Sequence, residues 1–190
     1  MLSRGSGRKS APPTGACEIC VLAGGLGSRL GRDKARLRLG GRTCLAHLRA
    51  VARALELPLR VIRRDLVDRC GPLGGVYTAL ETTGSDLVLF LACDMPFVPP
   101  SLLGRLRQRL SPRTEALFVR RADGVEFPFL LRQSAVGRVR ELIAARRFSL
   151  QALAEVTRAR TLVPTAAERK WLININTTAD LAAAAELARR

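Results

Sequence analysis

The sequence predicts an α/β fold: a mostly parallel central sheet with helices on both faces. Three observations carry that prediction. Short apolar runs alternate with helical patterns along the chain. One run, "DLVLFLA" from Asp86 to Ala92, is apolar almost throughout, as strands buried on both faces are. The first run stops at two glycines, which open a loop rich in glycine and positive charge.

The elements follow in order. Glu18 to Leu22 reads as the first strand. Thr43 can cap a helix running to about Leu55, with Leu45, Leu48, Val51, Ala52 and Leu55 on one face. Leu59 to Arg63 is a short strand, and Leu73 to Thr82 a helix opening from Gly71-Pro72. The strand over 86–92 precedes a helix from Ser101 to Leu110, introduced by Pro99-Pro100. Glu115 to Arg120 and Phe127 to Leu131 read as two strands joined by the turn "ADG". Helices are expected over Ala135 to Arg146 and Leu150 to Val156, and strands over Thr161 to Val163 and Trp171 to Ile175. An Ala-rich helix over Ala179 to Arg189 closes the chain, and no internal repeat is visible.

Composition bounds the function. The 190 residues suit one domain over 16–190, preceded by a disordered Ser-, Gly-, Pro- and Arg-rich tail over 1–15. No run is apolar enough for a membrane span, and the N-terminus lacks the apolar centre of a secretory signal, so a cytoplasmic protein is expected. The net charge is +16, and 29 of the 32 basic residues are Arg. They are scattered from end to end among few aromatics, which suits solvated faces better than a nucleic-acid groove with stacking platforms. Five cysteines, an odd number, argue against a disulfide framework. Cys17 and Cys20 form a CxxC, but a zinc site needs two further ligands at suitable spacing. Packing in the first strand is the expected role of both, and the sole histidine, His47, is expected on a helix surface or in packing.

In parallel sheets ligands bind beyond the carboxyl ends of the strands, so the loops after Leu22, Ala92 and Ile175 matter most. The first, within "CVLAGGLGSRLGRDKA", matches neither a P-loop nor GxGxxG. Gly24 and Gly25 let backbone N–H groups approach an anion, and Arg29 and Lys34 add two cations, with Asp33 moderating them. A triphosphate fits that pattern. In "ACDMPFVPP", Asp94 is placed to bind Mg²⁺ alongside substrate phosphates, or else to pin its loop. In "ININTTADL", Asn174 and Asn176 fall two apart and point the same way, towards a second substrate. Thr177 or Thr178 can cap the last helix, with Asp180 in its first turn. In "GPLGG", Gly74-Gly75 either start a helix or let a flat base lie against the backbone.

Together these residues resemble the molybdenum cofactor guanylyltransferase family. LAGGxxxRxGxDKA is met by Leu22, Ala23, Gly24, Gly25, Arg29, Gly31, Asp33, Lys34 and Ala35. GPLGG is met by Gly71 to Gly75, CDMPF by Cys93 to Phe97, and NxNT by Asn174, Asn176 and Thr177. The resemblance implies a Rossmann-like three-layer α/β/α nucleotidyltransferase fold. It also implies a reaction, in which GMP passes from GTP to the terminal phosphate of molybdopterin or Mo-molybdopterin and pyrophosphate leaves. By the same resemblance, Leu22, Ala23, Gly24, Gly25 and Lys34 hold GTP together with Asp65, Gly71, Pro72, Leu73, Gly74 and Asp94. Arg29, Lys34 and Asp94 are catalytic, Asp94 binds the cofactor Mg²⁺, and Asn174 and Asn176 meet the acceptor. Molybdoenzyme chaperones are candidate recipients of the product.

The related cytidylyltransferases tend to show LAAG where this chain has LAGG, and to lack the DKA. The family usually has a further strand and helix before GPLGG, with an Asn and an Asp that contact the nucleotide. Here only Cys44 to Cys70 lies in that interval, the Asn has no clear counterpart, and the Asp is Asp65 or Asp68. Two other readings stand beside this one: a relative using CTP or another phosphorylated acceptor, and a non-catalytic basic protein binding nucleic acid.

Overall fold

The computed structural model describes residues 15–23 and 37–189. Residues 1–14 and 24–36, the latter bearing Gly24, Gly25, Arg29 and Lys34, lie outside the described residues. The chain begins with β1 (Cys17–Leu22), followed after the loop by a short ribbon of β2 (Arg38–Leu39) and β3 (Arg42–Thr43). Then come α1 (Cys44–Ala54), β4 (Leu59–Ile62), α2 (Pro72–Thr82), β5 (Leu87–Ala92) and α3 (Pro100–Arg109). The second half holds β6 (Ala116–Arg121), β7 (Gly124–Arg132), α4 (Val136–Ala144), α5 (Leu150–Val156), β8 (Arg160–Leu162), α6 (Ala166–Arg169) and α7 (Thr178–Leu187).

The main sheet has six strands in the order β4-β1-β5-β7-β6-β8. β1 pairs in parallel with β4 and with β5, and β6 with β8; β7 alone runs antiparallel, between β5 and β6. The expected α/β architecture, mostly parallel and covered on both faces, is therefore present. From β1 the chain crosses to β4 on one side and then, through α2, to β5 on the other. Right-handed crossovers in opposite directions must put α1 and α2 on opposite faces. The packing follows: Leu45, Leu48, Val51 and Ala52 of α1 join Leu102, Leu103 and Leu106 of α3 on one face. Leu73, Val76, Ala79 and Leu80 of α2 join Val139, Leu142 and Leu153 of α4 and α5 on the other.

β1 is buried along its whole length, including Glu18. That carboxylate accepts from the Arg60 guanidinium at 2.7 Å and from the Thr83 hydroxyl at 2.8 Å, while Arg60 also donates to the Ala79 carbonyl. A buried charge needs such partners, and here they tie β1, β4 and α2 together at the amino end of the sheet.

Two elements are additions to the sequence reading. Gly40 and Gly41, both with positive φ, make the two-residue turn between β2 and β3, which a Gly-Gly between Leu39 and Arg42 signals. α6 is a single turn with a capping box between Thr165 and Glu168. Burial pushes the Glu168 carboxyl up, but the Thr165 N–H and hydroxyl and the Arg105 guanidinium hold it below the usual range.

One element is a correction. Trp171 to Ile175 is not a strand. Its buried residues, Leu172 and Ile175, fall three apart rather than two, and each enters a different cluster. Strand burial on one face has period two. Ile175 inserts among Leu39, Cys44 and Ala184.

The CxxC is spread across the sheet, as its spacing in a strand requires: Cys17 packs on the α1 face and Cys20 on the α2 face. Burial pushes the thiol of Cys17 up to about 11, that of Cys20 to about 12 and that of Cys44 to about 11. All of the cysteines are free. Among the described residues, no helix is long and apolar enough to cross a membrane.

Helices α1, α4 and α5 end in paired bonds that place Glu56, Arg146 and Arg158 at positive φ. At α5 the Ala159 N–H reaches the Ala154 carbonyl at 2.8 Å and the Arg158 N–H the Glu155 carbonyl at 3.0 Å. Glycine is the preferred residue at this position.

Two predictions follow from this packing. Arg158→Gly removes left-handed strain at φ 45 and raises the unfolding free energy by about 0.5–1 kcal/mol, read from the urea midpoint. Thiols raised in the folded state contribute stability that is present below their unfolded pKa and lost as pH rises through the folded value. Unfolding free energy therefore falls above about pH 9, with a shallower slope in Cys20→Ala.

Candidate active site

β1 and β4 are adjacent, yet the connections from their carboxyl ends leave towards opposite faces. A crevice opens where that happens. It is lined by the end of β1, by the 63–71 loop after β4 and by the start of α2. Backbone bonds extend the sheet at this edge: the Ala23 N–H reaches the Ile62 carbonyl at 2.8 Å on the β4 side, and on the β5 side the Cys93 N–H reaches the Leu22 carbonyl at 3.2 Å.

Three groups singled out in the sequence meet here: Leu22, Asp65 and the Gly71–Gly75 turn. Gly71 has φ 54 and precedes Pro72, the first residue of α2. A Cβ on Gly74 would lie 2.6 Å from Asp65 Oδ2 and 3.1 Å from the Val67 carbonyl oxygen. A Cβ on Gly75 would lie 3.1 Å from Leu22 Cδ2. On their Cβ side these glycines thus face Asp65 and Leu22, so the chain itself fills the room the sequence reading gave to a base. Thr78 fastens the loop, its hydroxyl accepting from the Leu66 N–H and donating to the Gly74 carbonyl, both at 2.8 Å. This residue carries no motif, and the sequence reading passed over it.

Of the two candidate aspartates, Asp65 is the half-buried one against Gly74, and Asp68 is exposed. Burial first and the neighbouring Asp68 second raise the Asp65 carboxyl above the usual range.

Asp94 stands two residues beyond β5, half-buried. Its charge helps raise the thiol of Cys44, the first residue of α1, which puts the carboxylate near the helix start capped by Thr43. Its carbonyl accepts from the Ile175 N–H at 3.0 Å, which brings the third predicted loop alongside. Asn174 and Asn176 are both exposed, on either side of buried Ile175, although the segment is not a strand. Thr177 caps α7 in a capping box with Asp180, as one of the two expected options. Among the described residues, no group of three or more His, Cys, Asp or Glu gathers for a metal. A cation here would take the Asp94 carboxylate plus ligands from the substrate.

His47 is structural, as expected. Its Nε2–H donates to the Leu39 carbonyl at 3.0 Å, and its ring meets Phe97 edge-on at 5.1 Å. Gly24, Gly25, Arg29 and Lys34, as noted, lie outside the described residues.

The fit between Asp65 and Gly74 is testable. Gly74→Ala forces Asp65 and the Val67 carbonyl away and lowers stability by about 1–3 kcal/mol, read from the urea midpoint. Asp65→Ala in the same chain recovers part of that loss, because it removes the nearer clash.

Comparison with known proteins agrees with this geometry. The family model for the MobA-like NTP transferase domain matches residues 19–161. A probable molybdenum cofactor guanylyltransferase from Opitutus terrae is 37% identical over 124 residues, 56% of this chain and 61% of that protein. The chain thus spans about three fifths of the length of that relative. A molybdenum cofactor guanylyltransferase from Syntrophotalea carbinolica is 32% identical over 147 residues, 68% of this chain and 70% of the other. Among solved structures, molybdopterin-guanine dinucleotide biosynthesis protein A from Archaeoglobus fulgidus superposes with a TM-score of 0.71 at 23% identity. That alignment covers 90% of this chain and 98% of the other, and it speaks for the fold. With most of its sheet inside the matched region, the chain belongs to the MobA-like NTP transferase family.

Proposed function

We propose that the protein is a molybdenum cofactor guanylyltransferase. The observation that carries this reading is the meeting of separate motifs at the carboxyl edge. Leu22, Asp65 and Gly71–Gly75 line the crevice, and Asp94 is joined through Ile175 to the segment bearing Asn174 and Asn176. The named relatives from Opitutus terrae and Syntrophotalea carbinolica support the same activity.

In the proposed reaction an oxygen of the acceptor's terminal phosphate attacks the α-phosphorus of GTP. The bond from that phosphorus to the oxygen bridging to the β-phosphate breaks, and pyrophosphate leaves with that oxygen. Such a transfer depends on positioning and on neutralising charge, so it requires no nucleophilic side chain. The nucleoside lies in the crevice, where the Asp65 carboxylate can accept from hydroxyl or N–H donors. The LAGG backbone, Arg29 and Lys34 serve the triphosphate by the sequence motif. Asp94 is the residue that would hold Mg²⁺, which when bound neutralises charge on phosphate oxygens. Asn174 and Asn176 face the molybdopterin on the other side of Asp94.

Cytoplasmic location and delivery of the product to a molybdoenzyme or its chaperone belong to the same proposal. Asp94→Ala and Lys34→Ala are expected to lower kcat/KM at least about a hundredfold while the thermal midpoint stays close to that of the parent. The measurement is formation of the guanine dinucleotide from GTP and molybdopterin. Undiminished turnover in both folded variants overturns the assigned roles. Calorimetric titration with GTP, CTP, ATP and UTP should show selective GTP binding; a preference for CTP would move the protein to the cytidylyl relatives.

A further inference from the structure

Segment 171–176 carries the two asparagines yet has no place in the sheet. Something other than a strand ladder must set its position. Its ends are tied locally: the Trp171 N–H reaches the Glu168 carbonyl at 3.0 Å, and the Asn176 N–H reaches Asp180 Oδ2 at 2.9 Å. Between those ends, the Ile175 N–H holds the Asp94 carbonyl, and the Leu172 carbonyl accepts from Arg121 Nη1 at 3.0 Å.

Arg121 is the last residue of β6 and faces Gly124 across the hairpin to β7. Its Nε lies 3.1 Å from Glu126 Oε1 on β7. The guanidinium is therefore engaged on two edges at once, by a carboxylate of its own hairpin and by a carbonyl of segment 171–176. The planar guanidinium presents its donors in fixed directions, whereas a lysine ammonium is a point charge on a flexible stem and holds such a geometry less firmly. The hairpin reaches the carboxyl edge because β7 starts there, antiparallel to its neighbours.

We propose that Arg121 is a positioning residue. With Glu126 behind it, it holds the Leu172 carbonyl and so fixes the distance and direction at which Asn174 and Asn176 stand beside Asp94. The proposal rests on the reading that those asparagines face the acceptor. Arg121 then governs the acceptor and not GTP, because the nucleoside crevice lies between β1 and β4, on the far side of β5 from the hairpin.

Trp171 reports directly on this latch. It is the only tryptophan in the chain, it is 36% exposed, and its ring lies 6.4 Å from that of Phe97 in the Asp94 loop. The experiment takes the full chain as parent, Arg121→Ala and Arg121→Lys. It measures acrylamide quenching of Trp171, the urea midpoint, and the separate KM values for molybdopterin and GTP. In Arg121→Ala, the quenching constant is expected to rise about twofold and the molybdopterin KM about tenfold, with the GTP KM held within about twofold. Arg121→Lys falls between Ala and parent.

An unchanged molybdopterin KM in a folded Arg121→Ala variant overturns the proposal. So does a parallel rise in both KM values with a lowered urea midpoint, which marks a merely structural role. If the parent makes no guanine dinucleotide, the function proposed above fails. The latch is then judged by quenching alone: increased quenching sustains it, and unchanged quenching overturns it.

Discussion

β1 is paired along both edges and buried on both faces, and the site hangs from its carboxyl end. The six residues from Cys17 to Leu22 align with Leu87 to Ala92 on one side, and Ile19 to Leu22 align with Leu59 to Ile62 on the other. Because the chain leaves β1 first to one side and then to the other, handedness alone sends α1 and α2 to opposite faces. The crevice at β1 and β4 is thus a consequence of topology and needs no special residue to open it. What it does need is a sheet that cannot shear, and the Glu18–Arg60–Thr83 network ties β1, β4 and α2 together at the opposite end.

The two halves of the proposed site are supported in different ways. On the nucleoside side, Leu22, Ala23 and the start of α2 continue regular elements, and the Asp65 loop is bonded onto α2 through Thr78. On the acceptor side, Asn174 and Asn176 stand on irregular backbone, tied to its own neighbours through Glu168, Arg169 and Asp180, and to the rest of the fold by hydrogen bonds to Asp94 and Arg121 and by two buried side chains, Leu172 and Ile175. A segment held at a few points can be moved by one substitution, whereas a ladder shares the load among its bonds. That difference is why the acceptor side is the place to look for residues that act at a distance.

Most elements were legible in the sequence because the patterns that define them are local. The apolar face of α1, the Thr43 cap, the Pro72 start of α2 and the wholly apolar β5 can be read within a few residues. The site was legible as a set of loops at strand ends, and the pairing of Asp65 with Gly74 follows from GPLGG once the fold is known. The strand expected over Trp171 to Ile175 failed for a physical reason. Asn174, Ile175 and Asn176 alternate as a strand does, but alternation over three residues records only that the middle one is buried. It does not supply a partner for the ladder. Arg121 was illegible for another reason: in a chain with 29 arginines, one more in "RRADG" carries no signal until the Leu172 carbonyl is seen beside it.

Charge sharpens the case for Asp65. With twice as many basic as acidic residues, a carboxylate in this chain has arginines close at hand. Several acids do pair with them at the surface, as Glu81 with Arg140 and Glu155 with Arg147, in exposed contacts that add little stability. Asp65 departs from that pattern. Arg63 and Arg64 precede it and Arg69 follows, all exposed, yet among the described residues burial first and a second carboxylate, Asp68, raise its carboxyl above the usual range. Both disfavour the ionised form, so the arrangement works against stability. A carboxylate kept half-buried against Gly74 and raised by its surroundings fits a group that waits for donors from a ligand. Under the function proposed above, those donors would be the hydroxyls and ring N–H groups of the nucleotide.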